Sequence, residues 1–262
     1  MRKKLISGLV AASTAVVLAV GGTAQQARAA DPTATWVNVA VAVVQHLFGG
    51  GGGGGGDLER AKQEIIAAVN GAKQEILNHI DAIASADVRA CTEAATTLVG
   101  QIDNMDDFTL PIFALDAVSC ATLSTAYFDA VQDLAAADRI GMLMGEIYSI
   151  AMVGFAKMGF PVTDLLDQLI RGYEAVVAKL VPGCTERTVT ERDDNGRPVS
   201  TEIQYTCVAY NGDTGYGVET YYRGKLVGPR LDREAVKAQA TRNTSRAVAL
   251  RALPQLRQSR GA

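Results

Sequence analysis

From Leu58 to Ile83 the apolar residues Leu58, Ala61, Ile65, Val69, Ala72, Ile76, Ile80 and Ile83 recur at spacings of three and four. The block Ala61-Lys62-Gln63-Glu64-Ile65 returns eleven residues later as Ala72-Lys73-Gln74-Glu75-Ile76. An eleven-residue period corresponds to about 3.67 residues per turn, which keeps an apolar stripe nearly straight along one helix face. A stripe of that kind must be buried against other elements, so the segment predicts a long amphipathic α-helix inside a larger helical assembly. The register runs on through Cys91, Ala94, Leu98 and Ile102 with one fault at Asp87. The helix is therefore expected over 57–102, about 65–70 Å if unbroken, with Asn70-Gly71 and Ser85 as the kink points.

Asp103 to Pro111 reads as a connection, and a second helical pattern begins near Pro111 or Ile112. Residues 140–160 are almost wholly apolar, interrupted only by Glu146 and Lys157, and Pro161 ends them. Such a run is either a core helix buried on all sides or a segment that enters a membrane, where Gly141-x-x-x-Gly145 would be a close-approach motif. The core reading leads. A third pattern covers 162–181, with Leu165, Leu166, Leu169, Tyr173, Val176, Val177 and Leu180 on one side and Asp164, Asp167, Arg171 and Glu174 on the other. Short connections between successive helices imply an antiparallel bundle over 57–183.

At Cys184 the period changes from helical to two. Thr185–Arg192 and Val199–Tyr210 flank Asp194-Asn195-Gly196-Arg197, whose central Asn-Gly favours a type I′ hairpin. Pairing Asp194 with Arg197 sets Cys184 directly opposite Cys207, because each cysteine lies ten residues from its end of the turn. In that register the cysteines fall on a hydrogen-bonded pair, where side chains stand further apart. A third strand around 218–222 completes a small meander over 184–229. The other two cysteines, Cys91 and Cys120, straddle the 103–111 connection and come level if the chain reverses there. The expected disulfides are thus Cys91–Cys120 and Cys184–Cys207.

Outside the cytoplasm these cysteines can oxidise, and the N-terminus supplies the means of export. Arg2-Lys3-Lys4, the uncharged apolar Leu5–Val20 and Ala27-Arg28-Ala29 form the three parts of a signal peptide over 1–29. The expected location is extracellular, or periplasmic where an outer membrane exists. Residues 30–48 are an almost uncharged apolar segment containing Trp36, joined to the rest by the glycine run 49–56. Eight glycines behave as a flexible coil, so this segment is read as a tethered arm, free to dock on its own chain or on a partner. Residues 230–262 carry eight basic residues against Asp232 and Glu234, with Thr241–Ser245 and Pro254 disfavouring regular helix. They read as a solvated or loosely helical basic tail. The helical region 57–183 is acidic, eighteen residues against eight basic, so the tail either meets partners or folds back on it.

Together these features predict a mainly α chain: an antiparallel helical bundle with a long N-terminal hendecad-type helix, then a small antiparallel β-meander and a basic tail. No catalytic constellation emerges. Glu75 and His79, one turn apart, read as an exposed helical pair. With His46 and His79 the only histidines and no Cys-x-x-Cys, neither a metal nor a cofactor is expected. No folded recognition motif accompanies the basic tail, so nucleic acid is not the expected partner. Five of the eight tyrosines fall between Tyr205 and Tyr222. The expected function is a secreted, non-enzymatic protein that binds another protein or a surface through Trp36 on its arm or through Tyr205, Tyr210, Tyr221 and Tyr222 on the meander. The alternative is a toxin-like, pore-forming protein that inserts residues 140–160, and a second alternative is an enzyme with a site assembled from scattered residues.

Overall fold

The computed structural model describes residues 34–48, 55–81 and 85–260, so the expected signal peptide and the glycines from Gly49 to Gly54 lie outside the described residues. The apolar run is α5 (Leu134–Lys157), opened by Asp133, whose carboxylate accepts the Ala136 N–H at 2.7 Å. It touches α1 (Ala34–Phe48), α2 (Gly55–Asp81), α3 (Ala86–Leu98), α4 (Thr109–Ala130), α6 (Thr163–Lys179) and α8 (Ser245–Arg260). Surrounded in this way, 83% of its most apolar stretch is buried, so residues 140–154 are core in this fold, while Phe160 beyond the end of α5 is exposed. The Gly141-x-x-x-Gly145 spacing admits neighbours. A Cβ on Gly145 would lie 2.5 Å from that of Ala40 in α1, and one on Gly141 would lie 2.6 Å from the Ser245 hydroxyl at the start of α8.

The long amphipathic helix is interrupted. It continues through Asn70-Gly71 but α2 ends at Asp81, and Ser85 caps a new helix by accepting the Val88 N–H at 3.4 Å. The register fault at Asp87 is the first turn of α3, where an acid favours the helix N-terminus. α3 and α4 are joined by Cys91–Cys120, with Cα atoms 5.6 Å apart.

Next to the helices stands a four-stranded antiparallel meander in the order β1 (Gly183–Arg192), β2 (Pro198–Val208), β3 (Thr214–Tyr222), β4 (Lys225–Val227). Cys184 pairs with Cys207 as expected, yet the turn differs from the expected type I′. Asp193 bonds Arg197 across three residues, with Gly196 at φ +76°, because the Asp193 carboxylate accepts the N–H groups of Asn195 and Arg197 and props the loop open. A bulge between Glu191 and Arg192 then absorbs the extra residue and restores the register. The cysteine Cα atoms are 4.1 Å apart, the spacing of a close, non-hydrogen-bonded pair, which corrects the wider pair expected.

Two segments take the own-chain alternative that the sequence left open. Trp36 is only 2% exposed and lies in the core with Ala40, Val43 and Val44, so α1 is an internal helix and not a free arm. The Val-rich face of α1 decides where this helix rests. The basic tail is folded as well, into α7 (Arg233–Ala240) and α8. Val248, Ala249, Ala252 and Leu256 of α8 are fully buried, while Arg257 and Arg260 reach Glu174 and Asp167 of α6 at 2.7 and 2.6 Å. Thr241–Ser245, unsuited to a helix interior, is the cap between the two helices.

Candidate functional site

The sequence-predicted site residues are dispersed by the fold. Trp36 is core. Tyr205 is buried under α7, with the Arg233 guanidinium 5.6 Å from its ring centre. Tyr210 sits in the β2–β3 turn and donates its hydroxyl proton to Asp138 of α5, whose other oxygen accepts both the N–H and the hydroxyl of Ser245. This one carboxylate joins sheet, α5 and α8, and burial together with the adjacent carboxylate pushes the Tyr210 phenol up from its ordinary value. Tyr221 donates to Glu219. Of the four, Tyr210 and Tyr222 are exposed; the Tyr210 hydroxyl is engaged by Asp138, and Tyr222 shares the open face of the sheet with Tyr216 and Val218. The four cysteines form the two expected bridges. The side chains of Glu75 and His79 lie outside the described residues. Among the described residues no group of three or more potential metal ligands is present.

The surface that stands out was not foreseen. α4 is long and apolar enough to cross a membrane, yet only a third of its most apolar stretch is buried. Between α3 and α4 runs an apolar groove of about 320 Å³, floored by the Cys91–Cys120 bridge and lined by Leu98, Met105, Ile112, Phe113 and Leu123. Phe108, 77% exposed, and Leu115, 58% exposed, extend it at helical spacing from Ile112. Exposed aliphatic and aromatic side chains gathered on one surface form the kind of apolar patch that interaction sites use.

The connection that shapes one end of the groove is fastened from below. Asp103 accepts from Lys62 of α2 and Lys157 of α5 at 2.6 and 2.7 Å, and Lys157 also donates to the Ile102 carbonyl. The two ammonium groups, Lys157 foremost, hold the Asp103 carboxyl below its usual range. Burial alone would lower the Lys62 ammonium, but the carboxylates of Asp103 and Glu59 more than reverse this, and the net direction is up. Asp106 in turn accepts the N–H groups of Phe108 and Thr109, which fixes the first turn of α4 with the Phe108 ring outside. The Thr109 contacts pull the Asp106 carboxyl below its ordinary value. The surroundings are acidic: residues 86–130 hold seven acidic side chains and a single basic one, Arg89, and Asp116 lines the groove itself.

A second unforeseen group is Glu146 of α5, 1% exposed. Its Oε1 is 2.9 Å from the Thr96 hydroxyl, which also lies 2.8 Å from the Thr92 carbonyl oxygen. A hydroxyl has one hydrogen and a carbonyl can only accept. The single Thr96 hydrogen is thus shared between the Glu146 carboxyl and the Thr92 carbonyl, both of which accept it. Burial pushes Glu146 up to about 7, outweighing the Thr96 bond, which acts in the opposite direction.

Comparison of the chain with protein-family models, curated proteins and solved structures finds no match.

Proposed function

We propose that the chain is an exported, non-enzymatic binding protein whose groove between α3 and α4 receives a basic, amphipathic helix of a partner protein. One observation carries this reading: α4 is an apolar helix left largely uncovered, beside a disulfide that fixes the width of the groove. Helix-in-groove recognition uses apolar anchors at helical spacing, and Leu98, Ile112 and Leu123 offer a receiving surface of matching character. The acidic surroundings favour a cationic partner and would speed its approach. The two disulfides are compatible with an extracellular or periplasmic location, and the signal-like residues 1–29 support the same reading.

Titration calorimetry with a Leu/Lys amphipathic helical peptide tests it. Binding is expected, with Leu98→Asp or Ile112→Asp abolishing it and Tyr222→Ala on the sheet leaving it unchanged. No binding, or binding indifferent to the groove substitutions, refutes the proposal. The uncovered α4 also favours a second reading, attachment to a membrane through α4 instead of residues 140–160. Liposome dye release that is lost on Leu115→Asp would replace the first reading with the second.

A further inference from the structure

We propose that two copies of the chain join edge to edge through β1, antiparallel about a two-fold axis at Val189. β1 occupies the outer position of the sheet and takes all its strand partners from β2. Of its ten residues all but Cys184 and Val189 are exposed. A strand edge of this length offers a row of backbone groups to any other strand, and charged side chains usually guard it. Here the guard has a particular pattern. Residues 186–192 read Glu-Arg-Thr-Val-Thr-Glu-Arg. Reversed, the Thr-Val-Thr centre is unchanged and every charge is inverted.

A second copy laid antiparallel with Val189 opposite itself therefore sets Glu186 opposite Arg192, Arg187 opposite Glu191 and Thr188 opposite Thr190. Each relation occurs twice by symmetry. Moving the axis by one residue destroys the match. Centred on Thr188, Arg187 faces Val189 and Glu191 faces Thr185; centred on Thr190, Glu186 faces Asp194. The strand's own sheet does not use these charges, since Arg187 stands opposite Gln204 and Glu191 opposite Ser200. Glu186 bonds Arg233 of α7 at 2.7 Å, and Arg192 donates to the Gly196 carbonyl, so the outer pair is already oriented by its own chain. Directly opposed charges of unlike sign stabilise a strand pair and like charges oppose it. The edge thus accepts its own copy in one register and resists slipped pairings, the self-complementary arrangement a two-fold interface requires. The product is one eight-stranded sheet. Arg187 and Val189 share a face with Gln204, Glu202 and Val218, so the surface bearing Tyr216 and Tyr222 becomes continuous across the axis.

The test is sedimentation equilibrium of the disulfide-intact mature chain through the micromolar range, with circular dichroism to establish that each variant is folded. Wild type is expected to form a dimer. Arg187→Glu turns two attractive pairs into repulsive ones and should weaken it by about thirtyfold. The double variant Arg187→Glu/Glu191→Arg keeps the complementarity with signs exchanged and should restore it. Val189→Cys, which faces itself across the axis, should give a covalent dimer under mild oxidation, whereas Thr188→Cys should not. A wild-type monomer at all concentrations overturns the proposal. So does a dimer indifferent to Arg187→Glu, or one that Val189→Cys fails to cross-link.

Discussion

Replacing Glu146 by Gln isolates one buried acid. In the unfolded chain this carboxyl ionises near 4.5, whereas in the fold burial holds the proton until about pH 7. As pH rises through that interval the unfolded state releases its proton first, so unfolding becomes easier. The stability that Glu146 retains at low pH is lost progressively between about 4.5 and 7. At about 1.4 kcal/mol per pH unit, the interval amounts to about 3 kcal/mol. Gln cannot ionise, and its amide can still meet the Thr96 hydroxyl. Glu146→Gln should therefore match wild type within about 1 kcal/mol at pH 4.5 and exceed it by about 2–3 kcal/mol at pH 8. Urea unfolding at the two pH values measures both, followed by the emission of the single tryptophan, Trp36, which is buried in the fold. Identical pH dependence in the two proteins would refute the claim that Glu146 is held protonated.

Other perturbations follow from close contacts. Gly145→Ala puts a methyl 2.3 Å from the Tyr173 hydroxyl and 2.5 Å from Ala40 Cβ, so α1 must move away; thermal unfolding should reveal a loss of about 2–3 kcal/mol. Gly215→Ala meets the Val236 backbone carbonyl at 2.1 Å, which has no rotamer to yield. It should release α7 from the sheet, seen as faster amide exchange over 233–240 with the core of α5 still protected. Replacing Cys91 and Cys120 together by Ser opens a loop with a sequence separation of 29 and should cost about 3–4 kcal/mol in urea titration.

What the sequence reveals follows from how local each signal is. The Cys184–Cys207 bridge was legible through strand register even though the turn was not, because the bulge at Glu191/Arg192 cancels the residue that the wider turn adds. Asn-Gly favours type I′ in isolation, and the Asp193 carboxylate two residues earlier overrides it. The interruption at Ser85 was legible as a kink point, but not that Ser85 would cap a separate helix. The burial of α8 was not, although Val248, Ala252 and Leu256 keep helical spacing, because Pro254 and the Thr-rich cap hid it; Pro254 is nevertheless accommodated within the helix. The groove beside α4 had no signature at all. α4 is apolar around much of its circumference, and which side lacks a cover depends on where α3 and α5 come to rest.

The contact of α1 with α8 has a consequence for how the chain reaches its fold. Gln45 donates to Gln255 at 3.0 Å across 210 residues of sequence, and both helices lean on α5. Contacts so distant along the chain close late. Until α8 has arrived, the valine-rich side of α1 lacks part of its cover and is open to stray association. The first and last helices described are thus halves of a single latch, and the protein completes its interior only when the second half closes.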